Sequence, residues 1–156
     1  MIEYKSQVLD EKEFEQIQKD FALANSLANR EEHNGSDKDK KSGKSWFIDK
    51  EMCRMITPSI SNLCQKLKVT DNYSVLYGEY ENNDFYKSHK DDSVKTLVYF
   101  YRNQNDNFDG GELRVVDEIF KHQNNDGVVF NGEYEHEVKP VKTKSGSRKT
   151  LTIFYY

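Results

Sequence analysis

Two periodicities divide the chain. Near its start Phe14, Ile17, Phe21, Ala24 and Leu27 recur every three or four residues, which predicts an amphipathic helix over about residues 11–29. Asp10 and Glu13 have capping-box spacing, in which each side chain accepts the other's backbone N–H, and Leu9 and Phe14 flank them as a hydrophobic staple. Residues 31–45, EEHNGSDKDKKSGKS, hold no apolar side chain and read as an exposed loop, its lysines either solvated or gating a substrate. Trp46, Phe47 and Ile48 return the chain to the core, and a short helix is expected next. Thr57 and Pro58 then fit the N-cap and first position of a helix ending near Leu67.

From residue 72 onward the period falls to two. Residues 72–80, 84–89, 94–101, 111–116, 127–130, 133–141 and 148–156 read as strands, separated by turn-rich pieces such as RNQNDNFDG and KTKSGS. The KTKSGS turn is expected to fold the last strand back beside residues 133–141. Helices first and strands after predict a mainly β domain of the α+β class, a sandwich or jelly roll with helices packed on one sheet.

A chain of 156 residues is one domain by length. The expected division is a helical support region, 1–70, and a β core, 71–156. An aromatic share of 13% argues against disorder and suits a strand-rich core, although 32% of residues are charged. A net charge of -4 gives no broad basic footprint for nucleic acid. The start has no apolar signal-peptide core, and no stretch is long and apolar enough for a membrane span, so the expected location is the cytoplasm. Cys53 and Cys64 lack CxxC spacing and read as reduced, packed thiols.

Within FYKSHKDDS, His89 and Asp91 lie two apart, so on a strand they share a face and can converge on one point. Alone they read equally well as a polar strand end. His136, in EYEHEVKPV, shares a face with Tyr134 and Val138, while Glu135 and Glu137 point the other way. Two neutral imidazoles and one carboxylate form the facial set of non-haem Fe(II), with three positions left open. Structural zinc wants four protein ligands, commonly with sulfur, and neither cysteine is placed to serve.

In RKTLTIFYY, Arg148, Thr150, Thr152 and Phe154 take one face. Lys149, Leu151, Ile153 and Tyr155 take the other, the expected seat of the N-terminal helices. A guanidinium facing inward needs an anion, and where no protein carboxylate serves, a ligand carboxylate does. Asp92 falls off the face of His89, and His33 and His122 sit in polar loops and read as surface histidines. Gly110 and Gly111 read as a loop end that starts a strand without crowding.

From Tyr77 to Tyr156 the sequence resembles the prolyl-4-hydroxylase-like branch of the Fe(II)/2-oxoglutarate dioxygenases. YENNDFYKSHKDD is similar to that branch's Y-x4–5-Y-x-x-H-x-D segment, and YFYRNQNDNFDGGEL to its Y-x-N strand end, variable loop and GGEL. GVVFNGEYEHEVKPV is similar to G-x-x-x-F followed by H-E-V-x-P-V, and RKTLTIFYY to R-x-x-x-T-x-W/F-Y. The four blocks occur in the family's order. Three departures stand out: a longer turn between His136 and Arg148, ENND in place of a glycine-containing turn, and Phe154 in place of tryptophan.

The resemblance implies a double-stranded β-helix of the jelly-roll or cupin type with helices on its major sheet. It implies iron held by His89, Asp91 and His136, and Arg148 binding the distal carboxylate of 2-oxoglutarate with Thr152 close by. Tyr80 would line that pocket, Leu113 and Val138 would form its apolar wall, and Tyr86 would border the substrate. Tyr101 would donate its hydroxyl to the same carboxylate, with Tyr99, or Phe100 after a one-residue register change, as alternatives. The implied cofactors are Fe(II), 2-oxoglutarate as cosubstrate, O2 and, as an accessory, ascorbate. The implied reaction hydroxylates an unactivated C–H, first a prolyl residue of a peptide or protein and otherwise a free amino acid or small metabolite. Residues 31–46 and 102–110 would border the substrate groove. A metal-binding β-barrel that serves as an interaction protein without turnover is the reading from a different class.

Overall fold

The computed structural model describes residues 1–27, 41–48, 53–67 and 72–156. Two antiparallel sheets enclose an interior filled by Val98, Phe100, Leu113, Val115, Val128 and Phe130. The larger sheet runs β1 (Ile2–Lys5), β10 (Gly127–Asn131), β6 (Lys95–Tyr101), β13 (Arg148–Tyr155), β4 (Tyr73–Tyr80) and β3 (Lys44–Ile48). The smaller runs β2 (Lys41–Ser42), β5 (Phe85–His89), β11 (His136–Val138), β8 (Leu113–Val115) and β9 (Glu118–Phe120). A separate ribbon pairs β7 (Asn107–Gly110) with β12 (Val141–Ser145). The architecture is a double-stranded β-helix.

β13 shows why this sequence makes two different faces. It lies between β4 and β6, and its side chains alternate strictly. Leu151, Ile153 and Tyr155 point outward and join Val75, Tyr77, Leu97 and Tyr99 in the outer core. Arg148, Thr150, Thr152 and Phe154 point inward and line a cavity between the sheets.

The outer face is covered by α1 (Glu11–Leu27) and α2 (Thr57–Leu67), the latter preceded by a 3-10 turn at Arg54–Ile56. The capping box forms as expected: the Glu13 N–H donates to Asp10 Oδ1 at 2.9 Å, and the Asp10 N–H to Glu13 Oε1 at 3.0 Å. Ile17 and Phe21 of α1 and Ile60 and Leu63 of α2 are buried against the sheet. Phe21 is the keystone of this contact, stacking on Tyr101 with centroids 4.1 Å apart and meeting Tyr77 edge-on at 5.8 Å. Among the described residues no helix is long and apolar enough to cross a membrane.

Several expectations need correcting. The region 1–70 is not purely helical, because β1, β2 and β3 add strands to both sheets, and β7 and β9 were not foreseen either. The expected strand 133–141 is broken. Tyr134 sits in a turn whose N–H bonds Asn131 O, and β11 ends before Pro140, which has no N–H to offer a ladder. KTKS therefore continues as β12 beside β7, and β13 pairs with β4 and β6, not with β11. This ribbon absorbs the extra length between His136 and Arg148. Residues 28 and 29 of the expected helix, and His33, lie outside the described residues.

On the outer face the Lys149 ammonium lies 2.7 Å from the buried Asp106 carboxylate. Asp106 also accepts the backbone N–H groups of Asn103 at 2.9 Å and Ser147 at 3.0 Å. Gly146, at φ +66, closes the turn above it, where a Cβ would fall 2.2 Å from Asp106 Oδ1. Burial opposes the charge on Asp106, but Lys149 and the two N–H groups outweigh it and hold the carboxyl below its ordinary range.

Two stability predictions follow from this packing. Truncating Phe21 to Ala should cost about 3–5 kcal/mol in urea unfolding, since it opens a cavity at the helix–sheet contact. Asp106→Asn should cost about 3 kcal/mol at pH 7, because Lys149 is left without its partner. A depressed folded pKa gives stability above the unfolded value and loses it below, so the gap between wild type and Asp106→Asn should close as pH falls from about 4 downward. Unfolding midpoints measured across that pH range check this.

Candidate active site

His89 and His136 are cross-strand partners in β5 and β11, so both rings leave the same face, with centroids 4.1 Å apart. Asp91 follows in a loop held by its own N–H on Gly132 O at 2.8 Å. One ligand atom from each of the three residues lies within 4.8 Å of the others. Asp91 Oδ1 is 3.7 Å from His89 Nε2, and Oδ2 is 3.2 Å from His136 Nε2.

The tautomers are fixed by the backbone. His89 Nδ1 lies 2.8 Å from Lys87 O, and His136 Nδ1 2.8 Å from Tyr134 O. A carbonyl only accepts, so each Nδ1 carries a hydrogen, and each Nε2 is the nitrogen turned toward Asp91, open to a metal once it holds no proton. Burial, and next the charge of His136, push His89 down to about 4, so it is neutral near pH 7, as a metal ligand must be. Burial resists ionisation of Asp91, but the His136 ring and the Thr96 hydroxyl, 2.6 Å away, outweigh it and keep the carboxyl below its ordinary range. Two imidazoles and a carboxylate gathered on one wall fit Fe(II) with open positions.

The same cavity, about 240 Å3, receives Arg148. Arg148 is 3% exposed. Its Nε–H donates to Gly111 O at 2.7 Å, Nη2 has no partner, and among the described residues no carboxylate forms an ion pair with it. Burial draws its pKa down to about 10, which leaves it a cation at pH 7. Its guanidinium carbon lies 5.8 Å from the ring centroids of both Tyr80 and Phe100. Gly111, at φ +68, lets the arginine stem pass, since a Cβ there would fall 2.7 Å from Arg148 Cδ. Glu112 acts on Arg148 only at a distance, and a buried guanidinium with Nη2 free and no ion pair fits a ligand carboxylate.

Tyr80, Tyr86, Leu113, Val138 and Thr152 all line this cavity. Tyr86 stacks on the His89 ring with centroids 3.4 Å apart. Tyr101 does not reach it. Residues 97, 99 and 101 of β6 face outward, where Phe14 and Phe21 pack on Tyr101. Tyr99 is outward too, its hydroxyl donating to Asn125 Oδ1 at 2.8 Å. Phe100 is the inward residue, so a ring without a hydroxyl faces Arg148. Residues 102–110 contribute nothing to the lining, and Phe108 packs behind Tyr80 and Val141.

His122 is a second correction. It is buried, donates Nε2–H to Lys149 O at 2.8 Å, and lies between the rings of Phe100 and Phe108. Burial, then the charge of Arg148, pushes it down to about 3, so it stays neutral. Asp92 is exposed and outside the site. In the ENND turn Asn83 takes φ +70, which asparagine tolerates where a glycine would otherwise stand.

Of the lining residues that sequence reasoning did not single out, Thr96 and Lys41 bear on the chemistry. Thr96 alternates with Val98 and Phe100, a period that could have revealed it. Lys41, in a wholly polar run, carries no such signal. Its Nζ donates to Ser45 Oγ at 2.9 Å and lies 4.8 Å from the Tyr86 ring centroid.

Fold and donor set place the chain among non-haem oxygenases of the β-helix type, and its relatives narrow this. A sequence model of the 2OG-Fe(II) oxygenase superfamily matches residues 75–156, more than half the chain. The chain belongs to that superfamily: it is a 2-oxoglutarate-dependent oxygenase whose cofactors are Fe(II), 2-oxoglutarate and O2. No curated protein matches it. Solved structures of the same fold include a prolyl-4-hydroxylase from Pseudomonas putida, 18% identical, with a TM-score of 0.65 over 99% of this chain and 91% of that one. A Trichoplax adhaerens prolyl hydroxylase, in complex with a hypoxia inducible factor peptide fragment, is 15% identical with a TM-score of 0.71, covering 99% and 83%. A viral collagen prolyl hydroxylase from Paramecium Bursaria Chlorella virus-1 is 16% identical with a TM-score of 0.60, covering 98% and 94%.

Because Thr96 orients Asp91, Thr96→Val should weaken divalent-metal binding about tenfold without unfolding the protein. Titration with Fe(II) under anaerobic conditions measures the effect.

Proposed function

We propose that His89, Asp91 and His136 hold Fe(II), that Arg148 grips the distal carboxylate of 2-oxoglutarate, and that the substrate is a prolyl residue in a peptide or protein. The observation that carries this reading is the buried guanidinium of Arg148, unpartnered and opening on the cavity that the three ligands share. When bound, iron and cosubstrate supply an oxidation in which one atom of O2 enters the C–H bond and the other enters 2-oxoglutarate, which leaves as succinate and CO2.

The protein's own residues bind, orient and shield. Arg148, kept cationic and held by Gly111 O, presents Nη2 to the dicarboxylate. Burial raises the Tyr80 phenol, which therefore stays protonated and able to donate beside Arg148. Phe100, Leu113 and Val138 exclude water from that end and strengthen the charge–charge contact. Tyr86 steadies His89 by stacking. No side chain is required as a general base.

Support for a prolyl substrate comes from the prolyl hydroxylases that share the fold, and from the cavity mouth. There Phe47 and Phe154, 6.3 Å apart, and Tyr86 offer apolar faces to a pyrrolidine ring. A free amino acid or another small metabolite in the same site is the alternative that the substrate test separates.

Anaerobic addition of Fe(II) and 2-oxoglutarate should give the weak visible charge-transfer band of the chelate. Asp91→Ala and His136→Ala should abolish it, and Arg148→Gln should keep metal binding while raising the 2-oxoglutarate concentration needed by about 100-fold. A band that survives loss of either ligand overturns the metal assignment. Mass spectrometry for products that gain one oxygen atom, in a peptide library set against a metabolite pool, tests the substrate. Proline-free products alone would sink the prolyl reading.

A further inference from the structure

The site as read so far leaves one cation unused. β2 pairs with β5 so that Lys41 stands opposite Tyr86, and its side chain crosses the Tyr86 ring into the cavity. The ammonium has three donors, of which the Ser45 hydroxyl takes one. Among the described residues no carboxylate forms an ion pair with it. Burial draws its pKa down while the Asp91 carboxylate draws it up, and its charge acts on His89, which sets it beside the metal wall.

Charge balance gives this position a meaning. Among the described residues that line the cavity, Lys41 and Arg148 are cations and Asp91 is the one carboxylate. A divalent metal and the dianion of 2-oxoglutarate cancel each other. Glu112 also acts on Arg148, but from outside the lining, half-exposed and screened by solvent. Within the lining, two cations against one carboxylate leave the loaded cavity with one surplus positive charge. In a partly dry space that surplus is unfavourable until an anion meets it. The cosubstrate has no group left for the task, because its distal carboxylate goes to Arg148 and its other end to the metal.

Resting on the oxygenase reading of this site, we infer that Lys41 determines specificity and that the substrate carries a carboxylate close to the carbon that is hydroxylated. The carboxylate has two sources: the α-carboxylate of a free amino acid or chain end, or an acidic side chain beside the target residue in a peptide. The Lys41 ammonium lies over the Tyr86 ring, which stacks on His89, so it meets the carboxylate as the neighbouring carbon reaches the open face of the metal.

The test uses matched acid and amide probes: L-proline and its amide, a prolyl peptide with Asp or Asn beside the proline, and acetyl-leucine and its amide. Binding is read as the shift each causes in the visible band of the anaerobic Fe(II) and 2-oxoglutarate complex. In at least one pair the acid should bind about tenfold more tightly than its neutral partner. Lys41→Met should bring that ratio to about one and leave 2-oxoglutarate affinity where it was, while Lys41→Arg should retain the preference. The pair that shows the bias names the source of the carboxylate.

Three results would overturn the inference: no acid preference in any pair, a preference that survives Lys41→Met, or a loss of 2-oxoglutarate affinity in that variant comparable to Arg148→Gln. The wild-type ratios decide the matter even if Lys41→Met does not fold. An acid preference confined to the leucine pair keeps the inference and counts against prolyl hydroxylation. Hydroxylated proline probes with no acid preference do the reverse.

Discussion

Arg148 is a charge inside the barrel with which no described carboxylate forms an ion pair, Glu112 acting on it only at a distance, and much of the molecule is arranged around holding it there. Removing a guanidinium from water without a partner is among the more unfavourable things a fold can do. β13 manages it by lying in the middle of the larger sheet, fixed on both edges by β4 and β6. The same strand sends Leu151, Ile153 and Tyr155 to the opposite face, where the helices seal it. Helix docking and site construction are therefore two faces of one element.

The groups packed directly on the guanidinium carry no charge. Phe100 and Tyr80 present rings, Gly111 presents a carbonyl, and His122 behind Phe100 is kept neutral by burial and by Arg148 itself. The opposite wall follows a different rule. There the backbone carbonyls of Lys87 and Tyr134 decide which nitrogen of each imidazole is left open, and Thr96 turns Asp91 toward them. One wall is built to leave an acceptor unsatisfied, and the other to leave a donor unsatisfied.

The sequence shows this plan wherever alternation meets a contrast in polarity. In RKTLTIFYY, Leu151, Ile153 and Tyr155 recur at every second position, so the inward placement of Arg148 and Thr152 is legible without coordinates. Capping at Asp10 and Glu13 is equally plain. His89 and Asp91 gain meaning only with His136 and Arg148, since a His-x-Asp alone is common at strand ends. In YFY, residues 99 to 101, three aromatics in a row carry no contrast, and the face is decided by distant partners: Phe21 takes Tyr101, Asn125 takes Tyr99, and Phe100 is left inside. His122 is hidden by its polar neighbours HQNNDG, although its ring lies between Phe100 and Phe108. Strands of three or four residues, such as β7 and β9, are too short for period two to declare itself. Pro140 was visible, but its effect of splitting a strand into β11 and β12 depended on a partner, β7, that was not.

β12, which pairs with β7 as a ribbon, lies between His136 and Arg148 in the chain, and the two residues stand on different sheets. The metal wall and the anchor are thus the two jaws of a caliper whose opening is the gap between the sheets, set by Phe100, Leu113 and Val98 packed between them. A caliper measures length. On the proposed reading, the packing of the barrel's interior, remote from any reacting atom, sets the gauge for a diacid held between the two jaws.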